Sequence, residues 1–361
     1  MKVLIFLQGE GRGHMTQALA VSKILREDGH TITGLIIGKV SVRGIPDFFK
    51  SEDAFIGSYP TPEFFYTKSK KKVSITRTII NNLSPAKIYT FFSSLRYIDK
   101  LLAEHKPNLV INFYEPIFGL YTLLYRPKVK IVSIAHQFMV FAKGSYYDKS
   151  RIKKSSLRFL SAICKYKSNL TLALSVYPWE SSKNDFKVIP PILREDVKKL
   201  KPYDGGYLLC YLVNSCLASD LITWSYLNQD VKVHVFVDNI AALDIFPYSE
   251  NLHFHRIDDK EFLKYLEGCS GLLTTAGYET ICEAAFLGKA VLMTPAHLEQ
   301  EINAHEFSLL NLGVISKDIN PSLLVEHIKK NGIVSNDSFT LRNRVLSADK
   351  ELIDAINYIA Y

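Results

Sequence analysis

Short apolar runs alternate with helical patterns along most of the chain. Residues 3–7 are fully apolar, as expected for a parallel strand buried on both faces. A glycine-rich turn follows. Then Met15, Leu19, Ala20, Ile24 and Leu25 recur near helical spacing until Gly29 ends the pattern. Residues 31–37 form the next strand, so the chain opens as a βαβ unit. Further strands are expected at 109–113 and 130–135, with helices around 85–104 and 116–125. Pro190, Pro191, Pro202, Gly205 and Gly206 then break the rhythm. It restarts with strands at 207–213, 231–237, 252–255, 271–274 and 290–294. Helices are expected at 219–227, 260–266, 277–287 and 299–312, and from about 341 to the end. Strands alternating with helices imply parallel, doubly wound sheets. The expected architecture is α/β, with two doubly wound domains (1–192 and 193–340) facing a cleft and a helical tail (341–361).

Composition sharpens this picture. At 361 residues, 47% apolar and 22% charged, the chain can bury two cores, which excludes general disorder. The net charge of +8 is unevenly spread. Residues 68–167 hold 20 Lys/Arg and four acids, whereas the remainder carries 24 basic and 32 acidic residues. A basic first half predicts an anionic partner: a phosphate-bearing substrate, a membrane surface or a nucleic acid. No nucleic-acid module is recognisable, which disfavours the last. The five cysteines are odd in number and lack a C-x-x-C pair, so they read as buried small hydrophobes in a reducing compartment. The N-terminus lacks a signal-peptide core, and no run of about 18 apolar residues exists. The expected location is cytoplasmic, either soluble or peripheral on the inner face of the membrane.

Two regions carry candidate chemistry. Gly9, Gly11 and Gly13 precede His14 between the first strand and helix. Glycines admit a ligand close to the backbone, and free N–H groups at a helix start favour negative charge. His14 is a candidate general base at the carboxyl end of the sheet. Glu115 follows the strand at 109–113 and precedes Pro116. It reads either as a helix N-terminal carboxylate or as a second candidate base. His136 is either a core histidine or a ligand. In the second half, Thr275–Thr280 form a strand-to-helix turn able to offer N–H groups and hydroxyls to a diphosphate. Glu283 lies four residues beyond Glu279. Glu299 and Gln300 open the next helix. His253 and His255 alternate on a strand, but no third ligand has metal spacing and there is no Asp-x-Asp, so no metal is expected.

These segments together resemble GT-B glycosyltransferases, especially family 28, which contains the lipid-linked N-acetylglucosaminyltransferase of peptidoglycan synthesis. Gly11-x-Gly13-His14 is similar to that family's glycine loop. Ala135-His136-Gln137 is similar to its His-Glu-Gln segment. Residues 188–194 resemble the stretch closing its first domain, residues 276–283 its Ser-Gly…Glu stretch, and Gln300-x-x-Asn303-Ala304 its Gln-x-x-Asn-Ala stretch. Ala276 stands where the family often has Ser. Residues 212–216 lack the family's glycines, with Asn214 and Ser215 in their place. Residues 112–116 look more like the Asp-x-Glu-Pro stretch of a bacterial and archaeal branch.

The resemblance implies two Rossmann-like domains, with the C-terminal helix packing back on the first. It implies a nucleoside-diphosphate sugar as donor, a UDP-sugar first among them, no cofactor and inversion. The acceptor is a glycan or lipid-linked. Catalysis falls to His14 or Glu115. Donor binding is assigned to Arg194, Asn214, Ile257, Thr275, Ala276, Gly277, Tyr278, Glu279, Thr280, Glu283, Glu299, Gln300 and Asn303. Acceptor binding is assigned to Gly11, Arg12, Gly13, Tyr114, His136 and Gln137. The rival readings are a non-hydrolysing sugar-nucleotide epimerase of the same fold and a non-catalytic nucleotide- or nucleic-acid-binding protein.

Overall fold

The computed structural model describes residues 1–40, 44–63, 65, 75–142, 151–180, 184–212, 218–238, 249–331 and 336–360. The chain divides into two compact units, Met1–Arg194 with Ser347–Tyr361, and Glu195–Leu346. Each is a Rossmann-like α/β unit built on a wholly parallel sheet.

Unit 1 runs β1 (Lys2–Gln8), α1 (Arg12–Glu27), β2 (Thr31–Lys39), α2 (Asp47–Lys50), β3 (Phe55–Pro60), α3 (Ile75–Asn82), α4 (Pro85–His105), β4 (Leu109–Phe113), α5 (Pro116–Tyr125), β5 (Lys130–Ala135), α6 (Arg151–Cys164), β6 (Leu170–Leu174) and β7 (Phe186–Ile189). Its seven strands lie in the order β3-β2-β1-β4-β5-β6-β7. The order reverses at β1, so the crevice for a ligand falls at the carboxyl ends of β1 and β4. The central strands are buried on both faces, which is why they read as unbroken apolar runs. One core layer packs Leu4, Phe6, Val110, Ile98, Leu101 and Phe118 together, and the Phe6 and Phe118 rings stack at 4.5 Å.

Unit 2 runs α7 (Glu195–Lys198), β8 (Tyr207–Leu212), α8 (Ala218–Leu227), β9 (Lys232–Val237), β10 (Leu252–Arg256), α9 (Asp259–Gly268), β11 (Gly271–Thr274), α10 (Tyr278–Phe286), β12 (Ala290–Met293), α11 (Leu298–Leu309), β13 (Gly313–Ile315) and α12 (Pro321–Asn331). Its strand order is β10-β9-β8-β11-β12-β13. The last helix, α13 (Asn336–Ala360), starts in unit 2, where Arg342 lies over the Phe286 ring. It ends in unit 1, where Lys187 lies over the Tyr358 ring.

Strands β3, β6, β7 and β13, and helices α3, α6 and α12, go beyond the elements expected from the sequence. Strand β3 reads FIGSYP, whose Gly57 and Pro60 mask its pattern. Strand β13 is only three residues long. Cys164, Cys210, Cys269 and Cys282 are buried free thiols. Cys216 lies outside the described residues.

The alternating His253 and His255 are joined by His234 of the adjacent strand. His234 Nδ1 and His255 Nε2 are 2.9 Å apart, and the His234 and His253 rings stack at 4.9 Å. Tyr265 of α9 and Tyr207 of β8 close over the group. Burial, reinforced by the neighbouring imidazoles and Lys232, pushes His234 down to about 4. Burial also lowers His253, with Lys232, and His255, where His253 adds to it and Glu261 opposes it. The folded cluster therefore prefers neutral imidazoles, while the unfolded chain takes up protons near 6.5. Stability is unaffected above that pH and falls as pH drops toward 4. The melting temperature should decline over this interval, and His234→Phe should flatten the decline. An unchanged slope in the variant would show that the cluster does not govern it.

Candidate functional site

In unit 1, three loops converge at the carboxyl ends of adjacent strands. Strand β1 leads through Gly9 into the turn before α1. The Gly9 N–H donates to the Gly38 carbonyl at 2.9 Å, and a Cβ at Gly9 would lie 2.6 Å from that oxygen. Only glycine fits this close approach. Gly11 is the N-cap of α1. It supplies no capping side chain, and a Cβ there would meet open space. The first helical N–H groups thus face an accessible volume at the positive end of a 16-residue helix. Arg12, Gly13 and His14 form the first turn.

His14 is buried between rings. It lies near parallel to Tyr114, which follows β4, at 6.3 Å, and to His136, which follows β5, at 6.1 Å. Gln137 Nε2 sits 3.3 Å from His14 Nε2. Tyr114 adopts a left-handed backbone (φ 54) and its hydroxyl pairs with Ser161 at 2.8 Å. His14, Tyr114, His136 and Gln137 are therefore brought together, as neighbours in the β1-β4-β5 part of the sheet.

Glu115 is placed differently. It caps α5, with its carboxylate accepting from the Phe118 N–H (2.6 Å), the Tyr59 hydroxyl (2.7 Å) and the Thr61 hydroxyl (2.5 Å). It is fully buried, and Asn112 clamps its backbone from both sides. Burial raises the Glu115 carboxyl, and the bonds from Thr61, Phe118 and Tyr59 oppose that rise. Both oxygens accept from internal donors, the arrangement of a buried helix cap. Tyr59 and Thr61 gave no signal in the sequence, because β3 itself was not legible. A cavity of about 490 Å³ opens beside them, lined by Lys39, Ser58, Thr61, Ser84, Lys87 and Thr90 among others. Lys87 also pairs with the buried Glu63 at 2.6 Å.

In unit 2, β11 ends at Thr274 and the chain turns through Ala276, which is left-handed (φ 63), into α10. Gly277 is its N-cap, with no side-chain cap and open space where a Cβ would stand. Gln300 and Asn303 of α11 brace this turn. Gln300 donates to the Thr275 hydroxyl at 3.2 Å and accepts from the Ala296 N–H at 2.9 Å, while Asn303 donates to the Ala276 carbonyl at 3.1 Å. Thr275, Gly277, Glu279, Thr280, Glu299 and Gln300 are partly exposed at the rim. Tyr278, Glu283 and Asn303 are buried, and burial raises the Tyr278 phenol. Ile257 follows β10, and its N–H donates to the Val237 carbonyl. Arg194 closes the first stretch of unit 1 and is partly exposed. Asn214 lies outside the described residues. No group of three or more His, Cys, Asp or Glu side chains suited to a metal occurs among the described residues.

Two doubly wound parallel sheets, each with a glycine turn leading into a helix N-terminus at its carboxyl edge, match the fold of GT-B glycosyltransferases. The chain belongs to glycosyl transferase family 1, whose model matches residues 1–331. This is a different family from the family 28 of the motif resemblance; the two agree at the level of the GT-B glycosyltransferase. An uncharacterized glycosyltransferase of Methanosarcina mazei is 24% identical, covering 98% of this chain and 96% of that protein. One from Methanosarcina acetivorans is 23% identical, covering 98% and 93%. Among solved structures, the glycotransferase of kitacinnamycin is similar with a TM-score of 0.66 at 12% identity, covering 99% and 98%. The spinosyn rhamnosyltransferase SpnG complexed with thymidine diphosphate gives 0.63 at 11% identity, covering 99% and 100%. The calicheamicin glycosyltransferase CalG4 gives 0.62 at 15% identity, covering 99% and 97%.

Removing the Glu115 carboxylate strands two hydroxyls and one N–H in the interior. Glu115→Ala should cost about 3 kcal/mol or more, read from urea denaturation. A variant of unchanged stability and lost turnover would return Glu115 to the catalytic machinery.

Proposed function

We propose that this glycosyltransferase moves a sugar from a nucleoside-diphosphate sugar to an acceptor hydroxyl, with inversion and without a metal ion. A UDP-sugar is the first donor to test. The observation that carries the reading is the open, uncapped N-terminus of α10 at Gly277, beside the Thr275 hydroxyl. Its N–H groups are oriented to receive a diphosphate and to stabilise the charge that develops as it leaves. The thymidine diphosphate in the SpnG structure supports the same ligand class. Gln300 and Asn303 hold the turn in shape, and Glu299 and Glu279 at its rim are assigned to sugar hydroxyls. Glu283, one turn further along α10, is assigned to the ribose, with Ile257 at the base and Arg194 at the phosphates.

Unit 1 binds the acceptor at the Gly11–His14 turn, with Arg12, Tyr114, His136 and Gln137. The acceptor oxygen forms the new bond to the anomeric carbon as the bond to the diphosphate breaks. The electron pair leaves with the diphosphate and the hydroxyl proton passes to His14. A single displacement of this kind inverts the anomeric centre. Gln137 holds the imidazole in place, as partner groups do for catalytic histidines. The acceptor is anionic or lipid-linked. The lysine-lined cavity beside β3 and the basic block of residues 68–167 support that class.

His14→Ala should lower turnover about 10²–10⁴-fold while nucleoside-diphosphate affinity, measured calorimetrically, stays within about twofold. Gly277→Asp separates stability from binding. An Asp cap should preserve or raise the melting temperature, yet weaken diphosphate binding roughly tenfold by placing like charge at the anion site. Unchanged affinity in that variant would move the diphosphate elsewhere. Release of an epimerised sugar from donor alone, with no acceptor, would overturn the transferase reading.

A further inference from the structure

Helix α3 turns polar residues toward the unit and leaves apolar ones outside. Thr78 and Asn82 face the unit. Thr78 accepts from the Phe65 N–H at 3.0 Å, and Asn82 accepts from the Glu63 N–H at 3.1 Å and donates to the Glu63 carbonyl at 2.8 Å. Its apolar residues Ile79 and Ile80 face out, followed by Leu83 at the turn. Helix α4 continues the surface. It buries Leu95, Ile98 and Leu101 against the sheet, while Ile88 and Phe92 at the margin of that face, and Tyr89 across from it, are exposed. These last three follow Pro85 at helical spacing, and Arg96 and Lys100 prolong the exposed face. The first half of α4 thus carries large apolar side chains beyond the face that packs on the sheet, a pattern that calls for a second apolar environment.

The six outward residues are between 40% and 74% exposed. They fall within fourteen consecutive positions, out of eighteen exposed large apolar side chains among all the described residues. A concentration of this kind marks an interaction surface rather than ordinary scatter. Its charge setting identifies the partner. Residues 75–100 hold four Lys/Arg (Arg77, Lys87, Arg96 and Lys100) and a single acid, Asp99, and Lys68 and Lys70–Lys72 precede them in the sequence, outside the described residues. Large apolar side chains within a basic field match a bilayer bearing anionic lipid, where apolar residues enter the headgroup boundary and Lys/Arg meet the lipid phosphates.

We propose that the outer face of α3 and the first half of α4 docks this protein on an anionic membrane surface. Attachment is peripheral: no helix of the described residues is long and apolar enough to cross a membrane. The lysine-lined cavity is bounded by Ser84, Ala86, Lys87 and Thr90, from the same α3–α4 turn and the start of α4. The surface stands apart from the transfer chemistry, and its test uses neither donor nor acceptor.

The full chain should float with phosphatidylcholine vesicles containing phosphatidylglycerol, should bind phosphatidylcholine alone far more weakly, and should lose binding as salt rises. Ile80→Asp with Tyr89→Asp should reduce vesicle partitioning roughly tenfold or more without lowering the melting temperature, because both side chains are exposed. Arg96→Glu should reduce binding to the anionic vesicles. Three results would overturn the proposal: no binding of the unaltered chain to anionic vesicles, equal binding by the Ile80→Asp/Tyr89→Asp variant, or a self-associated chain that this variant converts to monomers while vesicles remain unbound. The last would assign the face to a second copy of the chain. Any of these results leaves the turnover and diphosphate measurements standing, so the two readings fail separately.

Discussion

One buried carboxylate organises unit 1. Glu115 accepts hydrogen bonds from Tyr59 of β3, from Thr61 just past that strand, and from the Phe118 N–H at the start of α5. Glycine at position 38 of β2 leaves room for it, since a Cβ there would come within 2.5 Å of a carboxylate oxygen. Strands β2 and β3, the end of β4 and the start of α5 are therefore registered on a single group. The cost of burying a carboxylate is met by three donors and a helix dipole. The loop that carries Tyr114 leaves β4 immediately before this cap. His14 keeps its place against Tyr114 because Glu115 holds that loop.

The sequence made some of this visible and concealed the rest for physical reasons. Fully buried parallel strands leave unbroken apolar runs, so β1, β4, β5 and β11 stood out with their ends nearly correct. Edge strands β3 and β13 did not, because a strand flanked on one side needs no such run and tolerates Gly57 and Pro60. The glycine turns before α1 and α10 were legible as turns. Their openness was not, because it depends on what the remainder of the fold leaves unfilled around Gly11 and Gly277. Glu115 shows the limit most clearly. A carboxylate preceding a helix has the same sequence signature whether its oxygens face solvent or an interior, and the residues that settle the matter lie more than fifty positions away.

The two units line their candidate sites by different means. Around His14 the groups are side chains, with rings on either side and an amide at its nitrogen. Around Gly277 they are mostly main chain, a helix start with no side-chain cap braced by Gln300 and Asn303. Side chains suit a group that must exchange a proton. Backbone N–H groups suit a charge that must be held without exchanging one, because they neither titrate nor reorganise. The division matches a reaction in which one partner loses a proton and the other departs as a diphosphate.

That division also explains where the cations lie. Residues outside the 68–167 block carry a net excess of acids, although the proposed diphosphate site is among them. A helix N-terminus bears roughly half a positive charge, enough to seat phosphates without lysines. The excess of arginine and lysine is then free to serve a different surface, and within unit 1 it accompanies α3 and α4, whose isoleucines, leucine, tyrosine and phenylalanine face outward. Lys87, the α4 cation turned toward the unit, is already paired with Glu63, whereas Arg96 and Lys100 stay on the exposed side. An apolar face with basic residues near it in the sequence has the composition of a contact with something both greasy and negatively charged, a description that fits a lipid headgroup layer better than a water-soluble sugar.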